Sequence, residues 1–501
     1  MAECSKRFFN IDFTDEEIKI AKETGKLLSM EIEFSTKCDF KCPYCYAKDN
    51  TFWDKELELN QIEDVIIQAK DLGARKIVVL GGEPLVYPHI LEVLSFIHEL
   101  GLEIEMFTNG SQINEVVANT LFDLGVNVVL KMNSFKKEIQ DTLTGIQGSH
   151  IKIKEAIENI QKAGYPAKNK HMAVSTIICQ QNIGELVDMW VWLRDRNILP
   201  YFEMMTPQGE FKNHKWLEVD SLELEKLFNE ISKIDKEKYG NTWNVQPPLV
   251  GNKCFRHFYS CFVNASGDVM PCVGVTIPIG NIKKKKLKEI LDTSEVIEDL
   301  KNYKELIKGP CRSCSNLDNC YGCRGSAYQL TGDYLASDPL CWKNHDKQSE
   351  IIKLPISVEH IIPQKSPMRV IDKLLNVYDR RAEALVCISE NMMFVDKNGN
   401  LNSAVYLEMI AQTIAAHNCF KNIGNPNFEI EGFLLGAKNL KIFGKASVGD
   451  TLLINIEKKA RYGDFAIVEG TVSKDNKILA KGEVKIWHNE NVKEGRLTLI
   501  Q

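Results

Sequence analysis

No apolar run in this 501-residue chain is long enough to cross a bilayer. The opening residues, MAECSKRFFN, lack the apolar core of a signal peptide, so the expected location is the cytoplasm. Positive charge is not in excess either: 62 Lys and Arg face 68 Asp and Glu, a net charge of −6. That balance gives no reason to expect nucleic acid or an anionic membrane surface as a partner. The one basic run, residues 283–286, reads as a solvated loop. Apolar content of 44% against 26% charged residues allows an ordinary core. The length suggests about three domains. Cysteine, in contrast, is plentiful. Fifteen cysteines in a chain with no secretory signal point to metal rather than disulfides, and to a reducing or oxygen-poor cell.

The cysteines sort by position. Cys38, Cys42 and Cys45 form the spacing C-x3-C-x2-C in a single short stretch. Cys254, Cys261, Cys272, Cys311, Cys314, Cys320, Cys323 and Cys341 crowd into a later segment. Cys4, Cys179, Cys387 and Cys419 are scattered and read as small buried or surface residues. Three thiolates suit a 4Fe–4S cluster with one iron left open for a small molecule, much as a catalytic zinc keeps an open position. The residues alone leave a zinc knuckle or redox thiols open as alternatives.

The surroundings narrow the choice. Residues 28–34 alternate like a strand and lead into the cysteine loop. A second strand, 76–80, runs into Gly81-Gly82-Glu83-Pro84, whose glycines permit close backbone approach to a ligand. A third, 103–107, ends in Thr108-Asn109-Gly110, and a fourth, 126–132, ends near Asn133 and Ser134. In a parallel βα barrel, loops that follow strands share one mouth. This arrangement resembles the radical SAM enzymes. The resemblance implies a 4Fe–4S cluster on Cys38, Cys42 and Cys45 whose open iron chelates S-adenosylmethionine (SAM). It also implies SAM contacts from Tyr44, Gly81, Gly82, Glu83, Pro84, Asn109 and Ser134. Reductive cleavage of SAM would then yield a 5′-deoxyadenosyl radical for hydrogen abstraction.

Taken in order, residues 1–25 read as a helical lead-in and 26–240 as a radical SAM core, a partial (β/α)6 barrel. Helical patterns fall at 60–72, 88–100, 114–124, 151–163 and 183–196, with further strands at 172–178 and 201–205. Residues 144–165 look like the family's crossover from the fourth strand to the fifth, although their glycines and Ser149 equally suit a helix cap. Residues 241–345 are cysteine-dense and short in regular structure, and resemble the SPASM extension. That resemblance implies two auxiliary 4Fe–4S clusters, one on Cys254, Cys261, Cys272 and Cys323, the other on Cys311, Cys314, Cys320 and Cys341. With the SAM-binding cluster, the expected total is three. Cys261 is not part of the family's seven-cysteine signature; without it the first auxiliary cluster would have an open iron. Val273 stands where sulfatase-maturing relatives carry an aspartate base, which argues against that activity. Tyr321, Arg324 and Tyr328 near the clusters read as packing residues. A zinc-ribbon reading of the C-x2-C pairs remains open.

After a linker at 346–354, residues 355–501 carry no metal pattern. Residues 404–420 are apolar nearly all round, as a buried helix is. Strands follow at 433–443, 451–458, 465–473 and 478–487, with turns at Gly449-Asp450, Gly463-Asp464 and Asp475-Asn476. This resembles an α+β hotdog domain of the β-hydroxyacyl-carrier-protein dehydratase type. Glu408 and Gln412 match that family's helix acid and glutamine, but its paired histidine is absent and Gln364 replaces another. His360 and His417 could substitute, though a helix histidine is more often packed. Without an imidazole no base of near-neutral pKa is evident, so binding of a thioester or carrier arm, or dimerisation, is expected. The expected function is radical SAM oxidation of an acyl or polyketide-like thioester. The alternative is peptide modification, against which no peptide-binding winged-helix module is visible. Expected partners are a ferredoxin or flavodoxin, an acyl carrier protein or peptide, and a second copy of the chain.

Overall fold

The computed structural model describes residues 13–49, 56–422, 432–462 and 465–488. Cys4, the Gly463-Asp464 turn and residues 489–501 lie outside them, and so does the side chain of His360. Two compact units emerge: Met1–Gln329 with Asp333–His345, and Leu330–Gly332 with Asp346–Gln501.

The first unit is built on a nine-stranded sheet. Its strands are β1 (Ser29–Glu33), β2 (Lys76–Leu80), β3 (Glu103–Thr108), β4 (Asn127–Lys131), β5 (Met172–Ile178), β6 (Leu199–Met204), β7 (Ser260–Val263), β8 (Asp268–Met270) and β9 (Gly280–Asn281). The order is β6-β5-β4-β3-β2-β1-β7-β8-β9. β1 to β6 pair in parallel with their sequence neighbours, as strand–helix alternation requires. Apolar faces of the helices Leu59–Asp71, Ile90–Glu99, Glu115–Asp123, Ser149–Lys162 and Leu186–Arg194 bury against one face of this sheet. The lead-in helix, Asp15–Thr24, starts on a Thr14–Glu17 capping box.

Two features differ from the sequence-based expectation. A helix at Lys137–Thr144 precedes the crossover; it has one narrow apolar side and ends on Gly145 at φ 66°. The cysteine-dense segment is not merely irregular. β7 joins β1 in parallel and turns back through β8 and β9, so this segment extends the barrel sheet itself.

The second unit is a seven-stranded antiparallel sheet: β10 (Ile356–Ser357), β11 (Lys373–Val377), β12 (Arg381–Cys387), β13 (Gly432–Ile442), β14 (Thr451–Tyr462), β15 (Phe465–Lys474) and β16 (Lys477–His488). Its order is β10-β11-β12-β14-β15-β16-β13. The helix Val405–Lys421 packs on it, with Tyr406, Met409, Ile410 and Ile414 in the core. The helix is apolar all round because the curved sheet covers it. Among the described residues of the whole chain, no helix is long and apolar enough to cross a membrane.

Candidate active site

The carboxyl ends of β1, β2 and β3 converge, and backbone hydrogen bonds tie their loops together. Gly82 N donates to Ser35 O (2.9 Å) and Glu83 N to Lys37 O (2.9 Å). A Cβ on Gly82 would lie 2.2 Å from Lys37 O, and one on Gly81 2.6 Å from Ser35 O. The glycines thus answer a need inside the chain: they let this loop press on the backbone of the cysteine loop. Gly145 and Gly209 do the same from other sides. A Cβ there would stand 2.3 Å from Lys41 O and 2.1 Å from Cys45 O. Sequence reading gave Gly145 at most a capping role and missed Gly209 altogether.

Glu83 locks the next pair of strand ends. Buried, it accepts from Thr108 Oγ1 (2.6 Å), Asn109 N (2.6 Å) and Leu85 N (3.1 Å). Burial pushes its carboxyl up to about 7 despite those three donors. Asn109 Nδ2 donates to Asp39 Oδ1 (2.8 Å) beside Cys38. On the β4 side, Asn133 Nδ2 donates to the Tyr44 hydroxyl (2.7 Å).

These loops border a cavity of about 350 Å³. Cys38, Cys42, Cys45, Tyr44, Gly81, Gly82, Glu83 and Asn109 line it. Pro84 and Ser134 do not. Pro84 is buried at the start of a short turn, and Ser134, fully buried, donates to the Glu185 carboxylate, a partner the sequence did not reveal. Inward residues of the strands, with Arg256 from the turn before β7, make the walls polar. Lys76 pairs with Glu105 (3.5 Å), Lys131 with Glu203 (3.7 Å) and Arg256 with Glu31.

Cys254, Cys272 and Cys323 line the same cavity. They come from separate segments, brought together by a glycine contact. A Cβ on Gly274 would lie 2.8 Å from the Gly325 Cα, so the turn after Cys272 rests directly on the helix after Cys323. Val273 also faces the cavity and offers no base. Cys261 is not part of this wall. Strand residues alternate in direction; Ser260 lines the cavity, and Cys261, 1% exposed, packs on the other side with the main apolar core.

Cys311, Cys314, Cys320 and Cys341 lie outside the cavity lining. Asn344 ties two of them together, its N donating to Cys341 O (2.8 Å) and its Nδ2 to Cys311 Sγ (3.5 Å), and Cys314 N donates to Cys311 O (3.2 Å). Buried Asp338 links the two auxiliary groups: its carboxylate accepts from Cys323 N (2.8 Å) and Leu340 N (3.0 Å). Tyr321 and Arg324 are buried and also line the cavity, and Arg324 Nη1 donates to the Tyr334 and Ala336 carbonyls.

The donor set suits iron–sulfur clusters. Burial pushes Cys38 up to about 11 and Cys42 and Cys272 up to about 12, so these thiols ionise only when a cation replaces their protons. Among the described residues no three His, Cys, Asp or Glu side chains are drawn together to hold a single ion.

In the second unit, Gln412 Nε2 donates to Glu408 Oε1 (2.8 Å) and Met368 O (2.8 Å), and its Oε1 accepts from Val370 N (2.9 Å). His417 is buried with its ring bonded to Tyr378 O (3.0 Å) and Asn418 Oδ1 (3.3 Å). It is a packed histidine and no partner for Glu408.

A parallel βα sheet whose strand ends gather a C-x3-C-x2-C loop, a Gly-Gly-Glu-Pro loop and further thiols around one cavity fits the SAM-dependent iron–sulfur class that the sequence resembles. Comparison with known proteins agrees. Residues 32–191 match the Radical SAM superfamily, 254–315 the SPASM iron–sulfur cluster-binding domain, and 356–495 the ApeP-like family, ApeP dehydratase. The chain is a radical SAM/SPASM enzyme with an ApeP-like dehydratase domain. It is 24% identical to an AdoMet-dependent heme synthase of Methanosarcina barkeri, over 62% of this chain and 94% of that one. It is 27% identical to a PqqA peptide cyclase of Streptomyces rochei, over 63% and 90%. Among solved structures, SuiB of Streptococcus suis bound to its precursor peptide SuiA has the same fold over 65% of this chain and 78% of that one, with a TM-score of 0.51 at 18% identity.

Proposed function

We propose that the chain oxidises an acyl or polyketide-like substrate, presented as a thioester, inside the cavity bordered by Cys38, Cys42 and Cys45. The observation that supports the oxidative chemistry is that this one cavity also displays Cys254, Cys272 and Cys323. Cys38, Cys42 and Cys45 would hold a 4Fe–4S cluster, which together with SAM would supply a 5′-deoxyadenosyl radical for hydrogen abstraction from a substrate carbon. The chain's own residues do the rest. Asn109 and Glu83 fix the loop that carries Cys38, and Tyr44 is held by Asn133. The Lys131–Glu203 and Lys76–Glu105 pairs orient polar groups of the substrate. Cys254, Cys272 and Cys323 are proposed to hold one auxiliary cluster beside the substrate. Cys311, Cys314, Cys320 and Cys341 are proposed to hold another, placed to exchange electrons with a ferredoxin or flavodoxin.

The ApeP-like domain supports the thioester. With Gln412 and His417 committed to structural hydrogen bonds, that domain is proposed to bind its ligand rather than dehydrate it. Its edge strand β13 exposes Leu434, Leu435 and Ile442 and is proposed to pair with a second copy. The relatives whose names denote peptide substrates favour a second reading, a peptide substrate with the ApeP-like domain serving only dimerisation or binding. Titration of a phosphopantetheinylated acyl carrier protein into the full chain separates the two. Binding of the carrier, with faster 5′-deoxyadenosine release from its acyl form, is the result expected. No carrier binding, with stimulation by a peptide, would remove the acyl reading.

A further inference from the structure

We propose that His257, not Cys261, completes the ligand set of the first auxiliary cluster, a proposal that rests on Cys254, Cys272 and Cys323 holding iron. A 4Fe–4S cube takes four ligands, and the cavity wall supplies three thiols. Cys261 cannot turn to them where it stands. It is paired in parallel with Met30, and its thiol is embedded in the apolar layer on the far face of β7. Bringing it round would need a one-residue slip of β7 against β1, which would carry Ser260 into that apolar layer.

His257 is already on the wall. It follows Cys254 by three residues, on the turn Arg256–Phe258, and it lines the same cavity as the three thiols. Its ring centroid is 5.4 Å from that of Tyr321, whose hydroxyl lies 3.9 Å from Cys254 Sγ. His257 is 3% exposed, yet among the described residues neither ring nitrogen has a hydrogen-bond partner. An imidazole buried with both nitrogens unmet is costly and calls for an occupant. Imidazole nitrogen ligates iron in some iron–sulfur clusters, and a nearby cluster would meet one of the two. A neutral imidazole in place of a thiolate also makes the cluster less negative and raises its potential, which suits a site that accepts electrons.

The test uses full-length protein, prepared anaerobically and carrying Cys38→Ala, Cys42→Ala and Cys45→Ala so that SAM nitrogen cannot contribute. Pulsed EPR of the reduced protein is expected to show a strongly coupled nitrogen that shifts on ¹⁵N-histidine labelling. His257→Cys should abolish that coupling and keep the iron, and Cys261→Ala should change neither. About eight irons without strong nitrogen coupling, or with only the weak coupling of a hydrogen-bonded ring, would overturn the proposal and leave the auxiliary clusters standing. Near-complete absence of iron would overturn both.

Discussion

The two sets of thiols that face the cavity are built in opposite ways. Cys38, Cys42 and Cys45 lie in one eight-residue loop, and what surrounds them is a clamp. Gly82, Gly145 and Gly209 press backbone against that loop from three sides. Cys254, Cys272 and Cys323 have no common loop. They are brought together by β7 joining the barrel sheet and by the Gly274–Gly325 contact. A local set needs only to be held still, whereas a dispersed set exists only once the sheet has been extended. The first therefore withstands damage elsewhere in the fold better than the second.

The largest expected effect comes from removing the local set. The variant carrying Cys38→Ala, Cys42→Ala and Cys45→Ala should release no 5′-deoxyadenosine from SAM and yet keep the remaining irons. Next is Gly274→Ala, whose Cβ would strike Gly325. It should cost about four irons from the dispersed set alone, with SAM cleavage retained; metal analysis beside a cleavage assay checks the split. Gly82→Ala acts in the converse sense. Its Cβ collides with Lys37 O, and a shift of the cysteine loop of about 1 Å should slow SAM cleavage on the order of 10²-fold, with iron at the dispersed set unchanged. A smaller effect is expected at Glu33. Burial raises its carboxyl to about 7, and Tyr46 donates to it (2.8 Å). The folded state therefore holds a proton that the unfolded state has lost, so stability falls as pH rises from about 4.5 to about 7, by at most about 3 kcal/mol. Glu33→Gln should flatten that slope in denaturant titrations of the apoprotein.

The same contrast decides what was legible in the sequence. The C-x3-C-x2-C loop and the Gly-Gly-Glu-Pro turn are local patterns, and so are the alternating strands and helices between them. They led directly to the barrel and to one wall of the cavity. The hotdog-like helix was equally plain, because residues 404–420 are apolar nearly all round, as a buried helix is. The dispersed site was less legible. Spacing grouped Cys261 with the auxiliary thiols, but direction along a strand decides what a residue meets, and β7 could not be recognised from four residues, SCFV, amid cysteines. Nor does sequence distance reveal that Gly274 and Gly325 touch. Nor does it reveal that the Ser134 hydroxyl meets Glu185, a partner fifty-one residues away.

The most direct test of one cavity shared by two kinds of cluster is iron and sulfide content per chain on anaerobically purified protein. It would be compared with two triple variants, one at Cys38, Cys42 and Cys45 and the other at Cys254, Cys272 and Cys323. The account predicts about twelve irons, falling to about eight in either variant. About four irons, with zinc making up the rest and no loss in the second variant, would contradict it.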